Sequence, residues 1–259
     1  MLSFTEEIHM VILLQFVVGL MMASMAENSI GSSNRDWSGP HQTMMRSIHA
    51  DVARNAQVLG RDHLSQSVAL ALAKVPRHEF VPPELRENAY ANHPLPIGHG
   101  QTISQPTIVA LMTDILELCP EDRVLEVGTG SGYQAAVLSE VVTEGWVFTI
   151  EIVSALARTA RKRLADLGYQ NVVVHTGDGY LGLPEDAPFD GIMVTAAAEE
   201  IPPPLLAQLK PGGRLVMPVG GQGETQWLTL VSKDLEGEID RRVVLPVRFV
   251  PLTGDHTNK

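Results

Sequence analysis

The sequence is poor in cysteine and in positive charge, and both shortages restrict what the protein can be. Its single cysteine, Cys119, cannot form an internal disulfide, and no spacing of Cys or His residues resembles a zinc site. We therefore expect no bound metal. Cys119 follows an amphipathic helical pattern and precedes Pro120, so we expect a buried or helix-end thiol rather than a nucleophile.

Acidic residues outnumber basic ones, with 30 Asp and Glu against 19 Lys and Arg, and the net charge is −11. Nucleic-acid phosphates require clustered Lys and Arg, so this balance argues against a broad nucleic-acid surface. One basic cluster falls on a predicted helix, where we interpret it as a solvated face. Its members are Arg158, Arg161, Lys162 and Arg163.

An apolar run near the N-terminus, MVILLQFVVGLMM at 10–22, is too short to predict a membrane span. Its length is that of the apolar part of a signal peptide, and ASMA at 23–26 could be a cleavage site. However, Glu6 and Glu7 precede it without any Lys or Arg, which is the wrong charge for export. A misplaced start codon is therefore the alternative. A polar linker rich in Gly and Ser follows at 27–40.

The rest of the chain has the composition of a globular protein, with 44% hydrophobic and 19% charged residues. Apolar residues recur at helical spacing over residues 41–60, and a second helix is predicted over 64–74. Three prolines within 75–85 then break any regular element. These segments predict a helical region in front of the remaining fold.

Beyond residue 123, strand-like and helix-like segments alternate. The strand-like runs are RVLEVG, WVFTIEI, NVVVHTGD, FDGIMVTAA and GRLVMPVG. They are continuously apolar, which is typical of a parallel sheet covered on both faces. The stretch 227–252 indicates antiparallel strands, and His175 is expected to be a packed core or edge residue. We predict an α/β fold with a doubly wound, mostly parallel Rossmann-like sheet, an antiparallel edge and N-terminal helices.

The first of these strands ends in a glycine-rich loop, EVGTGSG. In a doubly wound sheet, ligands bind at the carboxyl ends of the strands. The dinucleotide fingerprint would place its third glycine where Tyr133 stands, and Glu126 would repel a pyrophosphate. A cofactor with a cationic centre and no phosphate fits better. Gly128, Gly130 and Gly132 would let its amino-acid end approach the backbone.

EVGTGSG resembles the first motif of class I S-adenosylmethionine-dependent methyltransferases, whose donor carries an ammonium and a sulfonium that acidic residues attract. Glu151, at the end of the second strand, could accept hydrogen bonds from both ribose hydroxyls, although NAD enzymes use an acid there too. The GDG at 177–179 resembles the segment that places an Asp near the adenine amino group. Asp178 and Gly179 therefore join Glu126, Glu151 and the three glycines as predicted cofactor-binding residues. A glycine turn without a ligand and a nicotinamide or flavin site are the alternatives.

The segment before the glycine loop indicates what accepts the methyl group. Apolar residues recur at helical spacing from Ile108 to Leu116, which predicts a helix with one buried face. Ser104 and Gln105 fall at the cap of this helix, with Pro106 in its first turn. Free amides beside a hydroxyl favour an anionic group such as a carboxylate. The alternative is that Ser104 only caps the helix.

Several motifs together resemble the protein-L-isoaspartate (D-aspartate) O-methyltransferase family. They are VPRHEFVP at 75–82, AY at 89–90, PLPIGHGQTISQPTIVA at 94–110, VLEVGTGSGYQAAVL at 124–138 and VRFVPLTG at 247–254. GQTISQP is much more specific than the glycine loop, and its serine, here Ser104, is assigned to the active site in the family. The substrate-binding residues implied by the resemblance are Thr102, Ile103, Gln105, Val250 and Pro251.

The resemblance covers nearly all of residues 41–254 and implies a single methyltransferase domain, residues 41–259. Within it, residues 41–120 would form the helical substrate-side segment, and 121–259 the cofactor-binding sheet and C-terminal strands. Residues 1–40 would lie outside the domain, as a signal-like or mis-started apolar segment and its linker.

The implied reaction is transfer of a methyl group from S-adenosylmethionine to the free α-carboxylate of L-isoaspartyl and D-aspartyl residues in damaged proteins. A free carboxylate has a pKa of roughly 3.5 to 4, so it is already the nucleophile at neutral pH and no general base is needed. His99 lies in the predicted substrate loop, but we assign it no role. The alternatives are a class I methyltransferase for another carboxylate or small molecule, a nicotinamide-dependent oxidoreductase, and a non-catalytic binding module.

The expected partners are isoaspartyl-containing proteins and peptides, with no nucleic acid and no stable membrane association, and the expected state is a monomer. S-adenosylmethionine is made in the cytosol, so we expect a cytoplasmic protein. Export to the periplasm is the alternative if residues 1–26 are a true signal peptide.

Overall fold

The computed structural model of the chain describes residues 35–221 and 223–254. The pattern of contacts divides the chain into two units, Met1–Gly39 and Pro40–Lys259, and the fold below is that of the second unit. The signal-like segment predicted over 1–26 lies outside the described residues.

Helices come first in the described chain. They are α1 (Ser38–Arg54), α2 (Ala56–Leu59) and α3 (Gln66–Lys74). On α1, Met44, Ile48 and Val52 are buried at a spacing of four residues, as the helical periodicity predicted. Two short 3₁₀ turns follow, Arg77–Phe80 and Pro83–Asn88, because prolines interrupt any longer helix here.

A small antiparallel hairpin precedes the next helix and was not predicted from the sequence. Its strands are β1 (Leu95–Gly98) and β2 (Gln101–Ile103). The chain reverses tightly between them, since Gly98, His99 and Gly100 have φ angles of 88°, 52° and 72°. His99 is exposed at the tip, and the chain runs from β2 directly into Ser104.

Helix α4 (Pro106–Ile115) is buried on nearly all sides, and the prediction of one buried face is wrong. Ile108, which the periodicity placed on the buried face, is half-exposed, whereas Thr113 and Asp114 are buried. The pattern underestimates burial because other helices cover α4 from more than one direction. Cys119 lies in the turn after α4 and is exposed rather than buried.

Seven strands form the main sheet. They are β3 (Arg123–Val127), β4 (Trp146–Glu151), β5 (Val172–Thr176), β6 (Phe189–Val194), β7 (Leu209–Val219), β8 (Gln226–Lys233) and β9 (Ile239–Val247). Their order is β5-β4-β3-β6-β7-β8-β9, with β3 to β7 parallel and β8 and β9 antiparallel. Three helices accompany them: α5 (Tyr133–Val141), α6 (Ser154–Asp166) and α7 (Pro203–Gln208). The predicted fold class is confirmed, and His175 lies half-buried on the edge strand β5.

The strand order reverses at β3, which lies between β4 and β6. Side chains such as Leu125, Phe148 and Ile192 anchor these three strands in one buried apolar cluster. Fully burying such a side chain contributes roughly 1.5–3 kcal/mol, so the strand ends have fixed positions. The carboxyl ends of β3, β4 and β6 therefore lie side by side, where a doubly wound sheet binds ligands.

Candidate active site

Two adjoining cavities open at the carboxyl ends of β3, β4 and β6. The first has a cavity volume of about 80 Å³ and lies between the glycine loop, the end of β4 and the segments before α4 and after β9. The second has a cavity volume of about 640 Å³ and lies between the start of α4 and the end of β9. Thr102, Ser104, Thr195 and Val250 line both cavities and so form their common wall.

The glycine loop depends on a backbone conformation that other residues rarely adopt. Gly128, Gly130 and Gly132 have φ angles of 99°, 52° and 88°. A Cβ at Gly128 would lie 2.3 Å from Oγ1 of Thr195. The Thr195 hydroxyl lies within hydrogen-bond distance of the carbonyls of Val127 (3.0 Å) and Gly128 (2.8 Å), which ties the loop to the end of β6. Glycine is therefore required here both by conformation and by space.

Gly132 has a packing role in this structure. It precedes the first residue of α5, and a Cβ there would lie 3.3 Å from the side chain of Leu164 on α6. It does not line either cavity, whereas Gly128 and Gly130 line the first. Arg163 of α6 also donates to the carbonyl of Ser131 at 2.8 Å, so this arginine is not simply part of a solvated face. Helix α6 thus supports the loop from behind.

Glu151 lies at the end of β4, is 5% exposed and lines the first cavity. Its Oε2 accepts a hydrogen bond from the amide of Gly130 at 2.8 Å, and its Oε1 accepts one from the amide of Val153 at 2.9 Å. The two amides fix the orientation of the carboxylate. Each oxygen retains a further lone pair, so the group can accept hydrogen bonds from a ligand.

Glu126, which was predicted to bind the cofactor, does not line either cavity. Its side chain is 0% exposed in the middle of the sheet, because β4 and β6 flank β3 on both sides. Oε2 accepts a hydrogen bond from Thr149 at 2.5 Å, and Thr149 shares another with Thr129 at 2.6 Å. Burial is the main cause that raises the pKa of Glu126 to about 8, followed by the nearby charge of Glu151. At pH 7 the carboxyl is mainly neutral and does not attract a cation.

The segment after β5 contributes backbone rather than a carboxylate. Gly179 lines the first cavity, and a Cβ there would lie 2.3 Å from the side chain of Val127. Asp178, which was predicted to bind the cofactor, does not line the cavity. Its Oδ1 accepts a hydrogen bond from the amide of Tyr180 at 2.9 Å and so stabilises the short turn that presents Gly179.

The predicted substrate-binding residues gather around the common wall of the cavities. Ile103 and Pro251 line the first cavity, and Gln105 lines the second. Gln105, and not Ser104, is the N-cap of α4, and its own side chain makes no capping hydrogen bond. The first-turn amide of Thr107 instead donates to Oδ1 of Asn92 at 3.1 Å. The alternative that Ser104 only caps the helix is therefore not supported, and Ser104 lines both cavities.

Sequence reasoning missed two residues that shape this site. Thr195 follows β6 at the edge where ligands bind, so its position after a strand was a usable signal. Arg77 gave no signal, because its place depends on packing between distant segments. Its side chain is 0% exposed, and it donates from Nη2 to the carbonyl of Ser104 at 2.7 Å.

Within the described ranges, no group of three or more His, Cys, Asp or Glu side chains is arranged to hold a metal ion. Over the same residues, no helix is both long and apolar enough to cross a membrane.

The reversed strand order, the glycine loop and the acid at the end of β4 are the features expected of a class I S-adenosylmethionine-dependent methyltransferase. A family model described as protein-L-isoaspartate(D-aspartate) O-methyltransferase matches residues 54–257. The chain belongs to this family.

Individual relatives agree with that assignment. The chain is 55% identical over 241 residues to a protein of Syntrophobacter fumaroxidans named protein-L-isoaspartate O-methyltransferase 2, covering 93% of this chain and 97% of that protein. A solved protein-L-isoaspartate O-methyltransferase is 31% identical with a TM-score of 0.70, over 82% of this chain and 66% of that one, so about a third of that protein lies outside the match. A putative Plasmodium falciparum homologue, solved with S-adenosyl-L-homocysteine, is 26% identical with a TM-score of 0.64, over 79% of this chain and 98% of that one.

Proposed function

We propose that the chain transfers a methyl group from S-adenosylmethionine to the free α-carboxylate of L-isoaspartyl and D-aspartyl residues in damaged proteins. The observation that carries the proposal is the common wall of the two cavities, where Ser104 faces both a glycine-lined pocket and an open cleft. The methyl donor can then bind in the first cavity and the acceptor peptide in the second, and the two meet at Ser104. The products are a methyl ester and S-adenosylhomocysteine, and the ester cyclises spontaneously to a succinimide that partly reopens to aspartate.

The first cavity suits the donor. Gly128 and Gly130 leave room for the amino-acid end to approach the backbone, and Glu151 offers fixed acceptor oxygens for the ribose hydroxyls. Gly179 contributes close-packed backbone to the same cavity. Bound there, S-adenosylmethionine supplies a methyl group activated by its sulfonium. We assign supporting roles to Gly132, which packs against α6, and to Asp178, which holds the Gly179 turn.

The second cavity suits a peptide that carries an already ionised carboxylate. No proton has to be removed, because a free α-carboxyl is already ionised at neutral pH. The chain's task is to align carboxylate oxygen, methyl carbon and sulfur while excluding water, and such positioning can be worth up to about 7–11 kcal/mol. Ser104 acts as a hydrogen-bond donor that positions the carboxylate and not as a covalent nucleophile.

The remaining predicted substrate-binding residues line the two cavities around Ser104. Thr102 lies on the common wall, Ile103 on the donor side and Gln105 on the acceptor side. From the C-terminal segment, Val250 lines both cavities and Pro251 lines the first. Pro251 pairs with Ala197 in an isolated bridge next to β6, which fixes this segment over the site.

The decisive experiment compares two peptides that differ in one linkage. The purified chain is incubated with S-adenosylmethionine and either an L-isoaspartyl peptide or its aspartyl twin. We expect a base-labile methyl ester on the isoaspartyl peptide alone. Equal methylation of both peptides, or methylation of neither, would refute the proposal, and activity toward an unrelated carboxylate would favour the alternative of a methyltransferase with another acceptor.

We also propose that residues 41–259 act as one methyltransferase domain, and that the protein is a cytoplasmic monomer. The location is supported by the donor, which is made in the cytosol. Mass spectrometry of the native N-terminus tests it, because cleavage near residue 26 would indicate export. Light scattering of the purified protein gives its oligomeric state.

A further inference from the structure

Arg77 is a buried cation that lies directly behind the site. Its side chain is 0% exposed, and its guanidinium carbon lies 4.7 Å from the centre of the Tyr133 ring. Nε donates to the carbonyl of Ala89 at 2.8 Å, and Nη2 donates to the carbonyl of Ser104 at 2.7 Å. Arg77 does not line either cavity, but Ser104 and Tyr133, which it contacts, both do. One layer of protein therefore separates its charge from the site.

The positive charge of Arg77 has no negative partner in the part of the chain that the structure describes. Its hydrogen bonds go to neutral carbonyls, and its ring contact is with a neutral tyrosine. An arginine is not deprotonated inside proteins, so the charge persists. Burying an unpaired charge is expensive and is normally offset by an ion pair. An anion held beside Ser104 would provide the missing countercharge.

We propose that Arg77 is an electrostatic positioning residue, whose buried charge draws the substrate's α-carboxylate to Ser104 while its hydrogen bond holds the Ser104 backbone in place. This inference rests on the proposed function. It makes the site selective for an anionic acceptor over a neutral one of the same shape, without any direct contact between Arg77 and the substrate.

The chemistry of transfer predicts which kinetic constant Arg77 affects. The carboxylate loses its negative charge as the methyl group arrives, so a fixed cation stabilises the bound reactant at least as well as the transition state. Interactions of this kind lower KM without raising kcat. Removing the charge should therefore raise KM for the peptide while kcat changes little.

The test uses two peptides as binding probes in the presence of S-adenosylhomocysteine, so that no transfer takes place. One is an L-isoaspartyl peptide, and the other is the same peptide with its α-carboxylate replaced by a carboxamide. Kd is measured for both on the wild-type chain, Arg77→Gln, Arg77→Lys and the control Arg123→Gln. Arg123 is a matched control, because it also donates to a backbone carbonyl, that of Asp186, and stacks on an aromatic ring, but at the opposite end of β3.

We expect the wild-type chain to bind the carboxylate about tenfold more tightly than the carboxamide, a difference of about 1.4 kcal/mol. In Arg77→Gln this ratio should fall to about two or less. In separate turnover assays with S-adenosylmethionine, the KM of this variant for the isoaspartyl peptide should rise about tenfold, with kcat within about twofold of the wild type. Arg77→Lys and Arg123→Gln should keep most of the ratio. A purely structural role would weaken both probes equally and leave the ratio unchanged.

Two results would overturn the inference: a wild-type ratio near one, or an Arg77→Gln protein that keeps the wild-type ratio. If Arg77→Gln does not fold, Arg77→Met takes its place, since it keeps an apolar stem over Tyr133 without the charge. The proposed function fails separately, when the wild-type chain does not methylate the isoaspartyl peptide at all.

Discussion

The neutral state of Glu126 makes the stability of this protein depend on pH in a defined direction. The pKa of this carboxyl is raised from its ordinary value of 4.5 to about 8, chiefly by burial. Between these two pH values the unfolded chain releases the proton while the folded chain keeps it, so stability falls as pH rises. The pKa of Glu126 differs by about 3.5 between the unfolded and folded chains, and each pH unit corresponds to about 1.4 kcal/mol. The free energy of unfolding therefore falls by on the order of 5 kcal/mol, and this loss is complete above pH 8.

Glu126→Gln removes this loss and keeps a side chain of the same shape, which can still bond to Thr149. We expect the variant and the wild type to be similarly stable near pH 4, and the variant to be more stable by several kcal/mol at pH 9. Urea unfolding from pH 4 to 9 measures the difference, and Glu121→Gln, at an exposed position, is the control that should show none. A difference between wild type and Glu126→Gln that does not change with pH would show that Glu126 ionises normally in the fold.

Three further substitutions test the site itself. Gly128→Ala should abolish S-adenosylhomocysteine binding, as measured by calorimetry. The control Gly168→Ala has a similar φ of 87° but nothing within 4 Å of the added Cβ. It should therefore cost only about 1–2 kcal/mol of stability and leave binding intact. Glu151→Gln should weaken S-adenosylhomocysteine binding about tenfold or more, because an amide NH₂ replaces one acceptor oxygen. Unchanged affinity would exclude contact between Glu151 and the donor. Ser104→Ala should lower kcat with the isoaspartyl peptide by about tenfold or more, while S-adenosylhomocysteine binds normally. The control Ser67→Ala, at an exposed position, should match the wild type. Full activity of Ser104→Ala would remove the role assigned to Ser104.

The sheet was predictable because its determinants are local. Continuous apolar runs such as that of β6 mark strands buried on both faces, and the glycine loop marks the turn from β3 into α5. The end of β4 follows from the same pattern, so Glu151 could be placed at the ligand-binding edge from sequence alone. These features depend on residues close together in the chain.

Other features depend on which segments meet in space, and the sequence does not state this. Glu126 and Glu151 are both acids near strand ends, but only the structure shows that neighbouring strands enclose the first while the second meets the cavity. Arg77 belongs to the motif VPRHEFVP, but its contact with Ser104 spans 27 residues. The chain between them includes the hairpin of β1 and β2, which was not predicted. Asp178 matched a motif by position, and its side chain instead bonds to the following turn.

The placement of charges around the cavities agrees with the chemistry of the proposed reaction. A sulfonium cation and a carboxylate anion combine, and both charges are lost in the products. Fixed charges that attract the reactants therefore lower the free energy of the bound reactants more than that of the transition state, in which the reacting charges are already partly neutralised. An ionised Glu126 beneath the loop would add a second buried negative charge on the donor side, next to that of Glu151. Because Glu126 is mainly neutral at pH 7, donor binding does not gain this extra ground-state stabilisation, and the alignment of the reacting atoms remains the main source of rate.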